Sequence, residues 1–132
     1  MTGGSWTTLD RLVRVGDGEA EAIRNVPNTL AILDSHFPRF PVMPGVLILG
    51  SLGTLCTELL GQETGRKWRF SGADRVAFRR FVQPGDQMVL TVKLKSHDED
   101  GAVLTGEVAV DGDVVTRARK LRAVPLSTGS EA

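Results

Sequence analysis

The sequence holds one cysteine, Cys56, so it can form neither an intramolecular disulfide nor a cysteine-based zinc cluster. It has no long apolar run: the longest, Leu30 to Leu33 and Val46 to Leu49, fall far short of the roughly 20 residues that a membrane span needs. It has no excess charge, with Lys plus Arg at 16 and Asp plus Glu at 16, and so lacks the basic balance of a nucleic-acid binder. The segment Met1 to Trp6 shows neither the basic patch nor the apolar stretch of a signal peptide, and the expectation is a soluble cytoplasmic protein. Internal repeats, low-complexity linkers, metal-ligand spacings and Gly-rich nucleotide loops are likewise missing, so no metal and no resident cofactor is expected. With only two histidines, any catalytic apparatus is sparse. What is there is 132 residues with 41% hydrophobic content, enough for one packed core. The expectation is a single domain over 1–132, ordered from about 6 to 125, with frayed ends.

The zero net charge conceals a pattern. Residues 1–65 sum to −3, residues 66–95 to +6, residues 96–116 to −6 and residues 117–132 to +3. Two readings fit: solvated strand faces of alternating sign, or a local basic surface for an acidic partner or an anionic ligand.

Strand signals dominate the chain. Arg11 to Val15 reads as a strand, Gly16-Asp17-Gly18 as a turn, and Glu19 to Val26 as its hairpin partner, stopped by Pro27 and Asn28. The run Leu30 to Leu33 is too short to assign. One helix is predicted from Gly45, with Ile48, Leu52, Leu55 and Leu59 spaced at four, three and four, and with Gly61 as its C-terminal cap. Apolar residues nearly surround its first turns, which predicts burial on most sides. Strands follow at Trp68 to Ser71 and Asp74 to Phe81, flanking Gly72, and then at Gln87 to Ser96 and Ala102 to Val110. Asp111-Gly112 is a two-residue hairpin signal leading into Val114 to Val124. A hairpin, a long helix and a meander of antiparallel strands imply an α+β architecture, with one helix wrapped by a curved antiparallel sheet.

One stretch carries chemistry: His36-Phe37-Pro38-Arg39-Phe40-Pro41-Val42-Met43-Pro44-Gly45-Val46-Leu47-Ile48-Leu49. Its prolines restrict the loop that feeds the helix. Gly45 then presents an N–H with no intrahelical partner, at the end of the helix where the macrodipole favours an oxygen gaining negative charge. A lone histidine is more often structural than catalytic, but His36 stands beside a rigid loop and an open helix N-terminus.

This string closely resembles the HFPGxPxMPGVLxxE signature of the β-hydroxyacyl-acyl-carrier-protein dehydratases of the FabZ/FabA type. Thr8 to Leu12 is similar to that family's VDRV segment, Phe70 to Gln87 to its FxGIDxxxFxRPVxPGDQ segment, and Val110-Asp111-Gly112 to its late VDG hairpin. The similarity runs from about residue 6 to 124 and implies the hotdog fold. It further implies that His36 is the base that removes the α-proton of a 3-hydroxyacyl thioester, and that the Gly45 amide polarises the thioester carbonyl. Phe37, Pro44, Val46 and Phe78 are the substrate-binding positions assigned with them. The acid that protonates the departing hydroxyl belongs fourteen residues after the histidine, where this chain has Gly50. Arg39 in place of glycine and Thr54 in place of glutamine are further departures. No neighbour substitutes for the acid: Thr54 is too weak, Glu58 lies about 12 Å further along the helix axis, and Asp34, two residues before His36, has nothing to support the role.

In this family the site lies at a dimer interface, with histidine from one subunit and the acid from the other. The resemblance therefore implies a subunit of a heteromeric dehydratase, converting acyl-carrier-protein-bound 3-hydroxyacyl chains to trans-2-enoyl chains in fatty-acid or polyketide assembly. The partner would be a hotdog relative bearing Glu or Asp at the Gly50 position, and a homodimer alone would be weak or inactive. The alternatives are a non-catalytic hotdog subunit that binds an acyl carrier or stabilises an assembly, and a hotdog thioesterase. The only cofactor implied is the phosphopantetheine arm of the carrier. Docking of that acidic carrier falls to Arg69, Arg79, Arg80, Arg119 and Lys120, drawn from basic segments that also hold Arg66, Lys67, Arg117 and Arg122. Cys56, among leucines, reads as a small core residue and His97 as a solvent-exposed turn residue.

Overall fold

The computed structural model describes residues 9–26, 45–83 and 85–126, with Val46 described by its backbone only. The first strand, β1 (Arg11–Gly16), turns into β2 (Glu19–Asn25). The turn residues Asp17 and Gly18 have φ of 56° and 77°, which matches the right-handed twist of the paired strands. The helix α1 (Gly45–Thr64) follows, and then β3 (Trp68–Phe78), β4 (Gln87–His97), β5 (Ala102–Val110) and β6 (Asp113–Pro125). The β5–β6 turn is again of the paired positive-φ kind, with Asp111 at 54° and Gly112 at 85°.

The six strands form one antiparallel sheet in the order β1-β2-β4-β5-β6-β3, so the last sheet edge is a strand from the middle of the sequence. Alternation sets which side of the sheet is dry. Along β5 every second residue, Ala102, Leu104, Gly106, Val108 and Val110, is buried. The equivalent positions of the neighbouring strands are Ala20 and Ala22 on β2, Met88, Leu90 and Val92 on β4, and Val115, Ala118, Leu121 and Ala123 on β6. Against this face α1 buries Ile48, Leu52, Leu55, Cys56, Leu59 and Leu60. The helix spacing and the strand alternation read from sequence thus meet in one core.

Two expectations need correction. The helix does not stop at Gly61: it continues to Thr64, and the left-handed residue that ends it is Gly65, at φ 74°, whose N–H donates to the Gly61 carbonyl at 2.9 Å. The Thr64 hydroxyl donates to the Leu60 carbonyl at 2.7 Å and accepts from the buried Trp68 indole at 2.8 Å, which starts β3 directly from the helix end. β3 is also one strand and not two. The chain runs through Gly72 by a bulge between Phe70 and Gly72, and it ends at Phe78 instead of Phe81. The chain termini and the run Leu30 to Leu33 lie outside the described residues.

Burial pushes the Cys56 thiol up from 9.0 to about 12. The native protein is therefore expected to resist an aromatic disulfide reagent at mildly alkaline pH and to react fully once unfolded in urea. The unfolded state loses this proton first, so between about pH 9 and 12 the thiol's contribution to stability falls as pH rises. Rapid labelling of the native protein would refute the buried placement.

Candidate active site

The site is built around the N-terminal half of α1 and the edge strand beside it. No acidic residue stands in the first turn of the helix, so no carboxylate within that turn competes for the positive end of its dipole. Gly45 is the first residue of that turn, and the ring of Phe78 lies directly against its backbone: a Cβ at Gly45 would fall 2.9 Å from Phe78 Cζ. Phe78 is 49% exposed, so the ring covers the helix end from the solvent side. Two of the predicted site residues are therefore in contact. A further close approach follows eight residues on, where a Cβ at Gly53 would fall 2.5 Å from Phe70 Cγ.

At the second of these contacts a groove of about 470 Å³ runs along the helix, lined by Gly50, Gly53, Thr54, Thr57, Trp68, Arg69, Phe70 and Leu126. Gly50 is half-buried in its wall, and among the described residues none of those lining it carries a carboxyl group. The Thr54 hydroxyl donates to the Gly50 carbonyl at 3.1 Å, and the Thr57 hydroxyl to the Thr54 carbonyl at 2.8 Å. Both threonines thus spend their protons on their own helix. Glu58 is exposed and is not among the residues lining the groove. His36, Phe37 and Pro44, together with Asp34, Arg39 and the side chain of Val46, lie outside the described residues.

A polar pair not anticipated from sequence braces the same stretch of helix. Arg24 is 6% exposed on the core side of β2, and its Nη1 donates to the fully buried Ser51 Oγ at 3.0 Å. Burial pulls the guanidinium below its ordinary value, and the nearby Asp10 carboxylate opposes that shift. Asp10 is itself fastened to β2, its N–H donating to the Ile23 carbonyl and its carboxylate accepting from the Asn25 N–H. The signal was present in the alternation Ala20, Ala22, Arg24, Val26, which places an arginine on the apolar side of a strand.

The proposed docking cations do not converge. Arg69 lines the groove beside Gly50. The Arg79 N–H donates to the Val115 carbonyl and the Arg80 guanidinium to the Val110 carbonyl, just beyond β3. Arg119 and Lys120 are exposed at an irregularity of β6. Others are neutralised within the chain: Arg122 holds Asp74 at 2.6 Å and Arg117 faces Glu107 at 3.8 Å, while Arg66 lies over the Trp68 ring at 5.7 Å. Lys67 and His97 are exposed. Among the described residues no cluster of three or more His, Cys, Asp or Glu could hold a metal ion, and no helix is long and apolar enough to cross a membrane.

One long helix on the face of an open six-stranded antiparallel sheet is the hotdog fold. A solved neighbour, the dehydratase heterocomplex ApeI:P from Xenorhabdus doucetiae, superposes with a TM-score of 0.76 over 96% of this chain and 87% of its own, at 14% identity. In sequence, residues 7–119 match the FabA-like domain. The 3-hydroxyacyl-[acyl-carrier-protein] dehydratase FabZ of Streptococcus mutans is 40% identical over 79% of this chain and 76% of its own length. The FabZ of Shewanella woodyi is 39% identical over 83% and 76%. The chain belongs to the FabA-like family.

The ring seated on the helix end gives a direct test. Gly45→Ala is expected to destabilise by about 1–3 kcal/mol through overpacking. In a Phe78→Ala background the same change should be neutral or mildly stabilising, because the methyl then has room and alanine is the better helix former. Urea denaturation of the four proteins measures this, and purely additive costs would show that the ring does not rest on Gly45.

Proposed function

We propose that this chain is the histidine-bearing subunit of a heteromeric 3-hydroxyacyl-[acyl-carrier-protein] dehydratase. The single observation that carries the reading is the groove at Gly50, the position that the resemblance gives to the acid, whose lining among the described residues holds no carboxyl group. The names of the FabZ relatives support the substrate class, a 3-hydroxyacyl chain on an acyl carrier protein, and in this reading the phosphopantetheine arm of the carrier bears the thioester. The heterocomplex among the fold neighbours supplies a precedent for building a dehydratase from unlike chains.

The reaction removes water across the α and β carbons. His36 takes the α-proton, and the developing enolate oxygen is held by the Gly45 amide at the helix N-terminus, where backbone dipoles already point at it. The carbon–oxygen bond at the β position then breaks, and the departing hydroxyl leaves as water with a proton from the partner's carboxylic acid. The products are a trans-2-enoyl thioester and one water. A positioned acid typically contributes about 10²- to 10⁴-fold, which is what a homodimer with glycine at this place forgoes. Phe37, Pro44, Val46 and Phe78 form the substrate-binding surface in this reading. Of the carrier-docking positions Arg69, Arg79, Arg80, Arg119 and Lys120, Arg69 has the most support in this reading, because it lines the groove.

The experiment is dehydration of a 3-hydroxyacyl thioester by the purified chain, alone and mixed with a related chain that bears Glu or Asp at the position of Gly50. The mixture is expected to be active, with at least about 10²-fold loss when this chain carries His36→Ala. An unchanged rate with His36→Ala would instead identify a non-catalytic subunit. Hydrolysis of thioesters lacking a 3-hydroxyl would identify a thioesterase. In the absence of any partner, Gly50→Glu is expected to raise dehydration by the chain alone by about 10²-fold or more. Full activity of the unaltered chain alone would overturn the proposal.

A further inference from the structure

The dry face of the sheet holds one polar group with nothing to bond to. Three polar side chains are buried among the described residues: Arg24, Ser51 and Thr116. Arg24 and Ser51 meet each other at 3.0 Å. Thr116 has no exposed surface, and its hydroxyl has no hydrogen-bond partner among the described residues. Leaving a buried hydroxyl unpaired is costly, and valine has nearly the same shape without that cost. Packing alone therefore does not account for threonine at this place.

Thr116 lies where the sheet meets the start of the helix. It pairs with Val108 of β5 on one side and with Phe78 of β3 on the other. Directly paired residues point to the same face, so Thr116 shares the helix side of the sheet with both. An irregularity between Val108 and Ala109 adds a residue to β6, and Val115 and Thr116 are in consequence both buried. The backbone there is satisfied without the hydroxyl. The Val115 carbonyl accepts from the Arg79 N–H at 2.7 Å, and the Val110 carbonyl from the Arg80 guanidinium at 3.4 Å. Because the ring of Phe78 lies against Gly45, a single residue joins the row of the buried hydroxyl to the first turn of α1. Phe78 is 49% exposed, and its ring has open solvent to turn into.

We propose that Thr116 is a specificity-determining residue, whose hydroxyl bonds an oxygen carried by the acyl chain beyond its β carbon once the Phe78 ring turns away from Gly45. The inference rests on the acyl-thioester reading of the site and names a substrate class within it: chains with a second hydroxyl or a keto group. The thioester carbonyl stays at the helix N-terminus, and the chain runs past Phe78 onto the row of Val108 and Thr116. That part of the sheet is otherwise apolar, with Val76 and Ala118 forming the next pair along and Val108 fully buried. A single hydroxyl in an apolar lining selects by what is left unpaired. A saturated chain leaves the Thr116 hydroxyl without a partner, whereas an oxygenated chain joins two polar groups in one bond.

The probes are pantetheine analogues in which an amide replaces the thioester, carrying 3-hydroxyoctanoyl, 3,5-dihydroxyoctanoyl or 3,7-dihydroxyoctanoyl chains, with pantetheine alone as the control. Titration calorimetry measures their binding to the chain, alone and mixed with a related chain that bears Glu or Asp at the position of Gly50. One of the dihydroxy chains is expected to bind at least about fivefold tighter than the monohydroxy chain. Thr116→Val should remove that preference and Thr116→Ser should keep it. Thr116→Val should also leave the urea midpoint unchanged or raised, because no bond within the fold is lost. A clear fall in the midpoint would make the hydroxyl a structural contact and overturn the inference. Equal affinity for the three chains, or a preference that survives Thr116→Val, would overturn it and leave the dehydratase reading standing. Weaker binding of pantetheine alone to Thr116→Val would assign the hydroxyl to an amide of the carrier arm, and would overturn it likewise. A preference that depends on Thr116, without dehydration of the 3-hydroxyacyl thioesters by the mixture, would overturn the dehydratase reading and not this one. Binding of none of the acyl chains would overturn both.

Discussion

Aromatic rings lying directly on a helix backbone set the geometry of this protein. Phe78 rests on Gly45 and Phe70 on Gly53, and any side chain at either glycine would occupy the same space as the ring. Eight residues of helix rise about 12 Å, so the two contacts pin the edge strand along the first half of α1 at two separated points. Among the described residues, the first turn of the helix, Gly50 and the groove lie between or beside them. The cost is borne by the helix, which carries glycine at 45, 50 and 53, where alanine would be intrinsically better by about 1 kcal/mol each. Burial of Ile48, Leu52, Leu55, Leu59 and Leu60 against the sheet offsets that loss.

The helix is held from its other side by a charge. An arginine with 6% of its surface exposed is stable only where its donors are met, and Arg24 reaches Ser51, the residue next to Gly50. Adjacent helical residues point about 100° apart, so the brace at Ser51 and the groove at Gly50 occupy neighbouring faces of one turn. The strand that supplies the arginine is fixed in turn by Asp10. The wall of the groove is therefore located by a chain of polar contacts running back into β1 and β2, and not by hydrophobic contact alone.

Much of this was legible in the residues. The paired turns at Asp17-Gly18 and Asp111-Gly112 announced themselves by composition, and the alternation of β4 and β5 fixed which residues face the helix. What escaped was information held in the third dimension. Gly61 and Gly65 are equally good caps on paper, and Thr64 bonding Leu60 and Trp68 decides for the later one. Gly72 looked like a break between two strands because a bulge adds a residue without ending the ladder to β6. The seating of Phe78 on Gly45 joined two positions that the resemblance had assigned separately, and the scatter of Arg69, Arg80 and Arg119 over different parts of the sheet has no counterpart in their closeness along the chain. The Arg24–Ser51 pair required knowing that two residues 27 positions apart meet.

The backbone at Gly50 keeps regular helical hydrogen bonding, with its carbonyl also accepting the Thr54 hydroxyl, and the space beside it is open. Nothing in that arrangement requires glycine for conformational reasons. Every glycine codon differs from an aspartate or glutamate codon by a single base at the second position. A carboxylate at this place is thus one nucleotide substitution away in any lineage that carries the gene. On the heteromeric proposal, the persistence of glycine there would be a matter of selection on the assembly rather than of mutational distance, and position 50 would be a natural marker for following how division of labour between paired subunits arises and reverts.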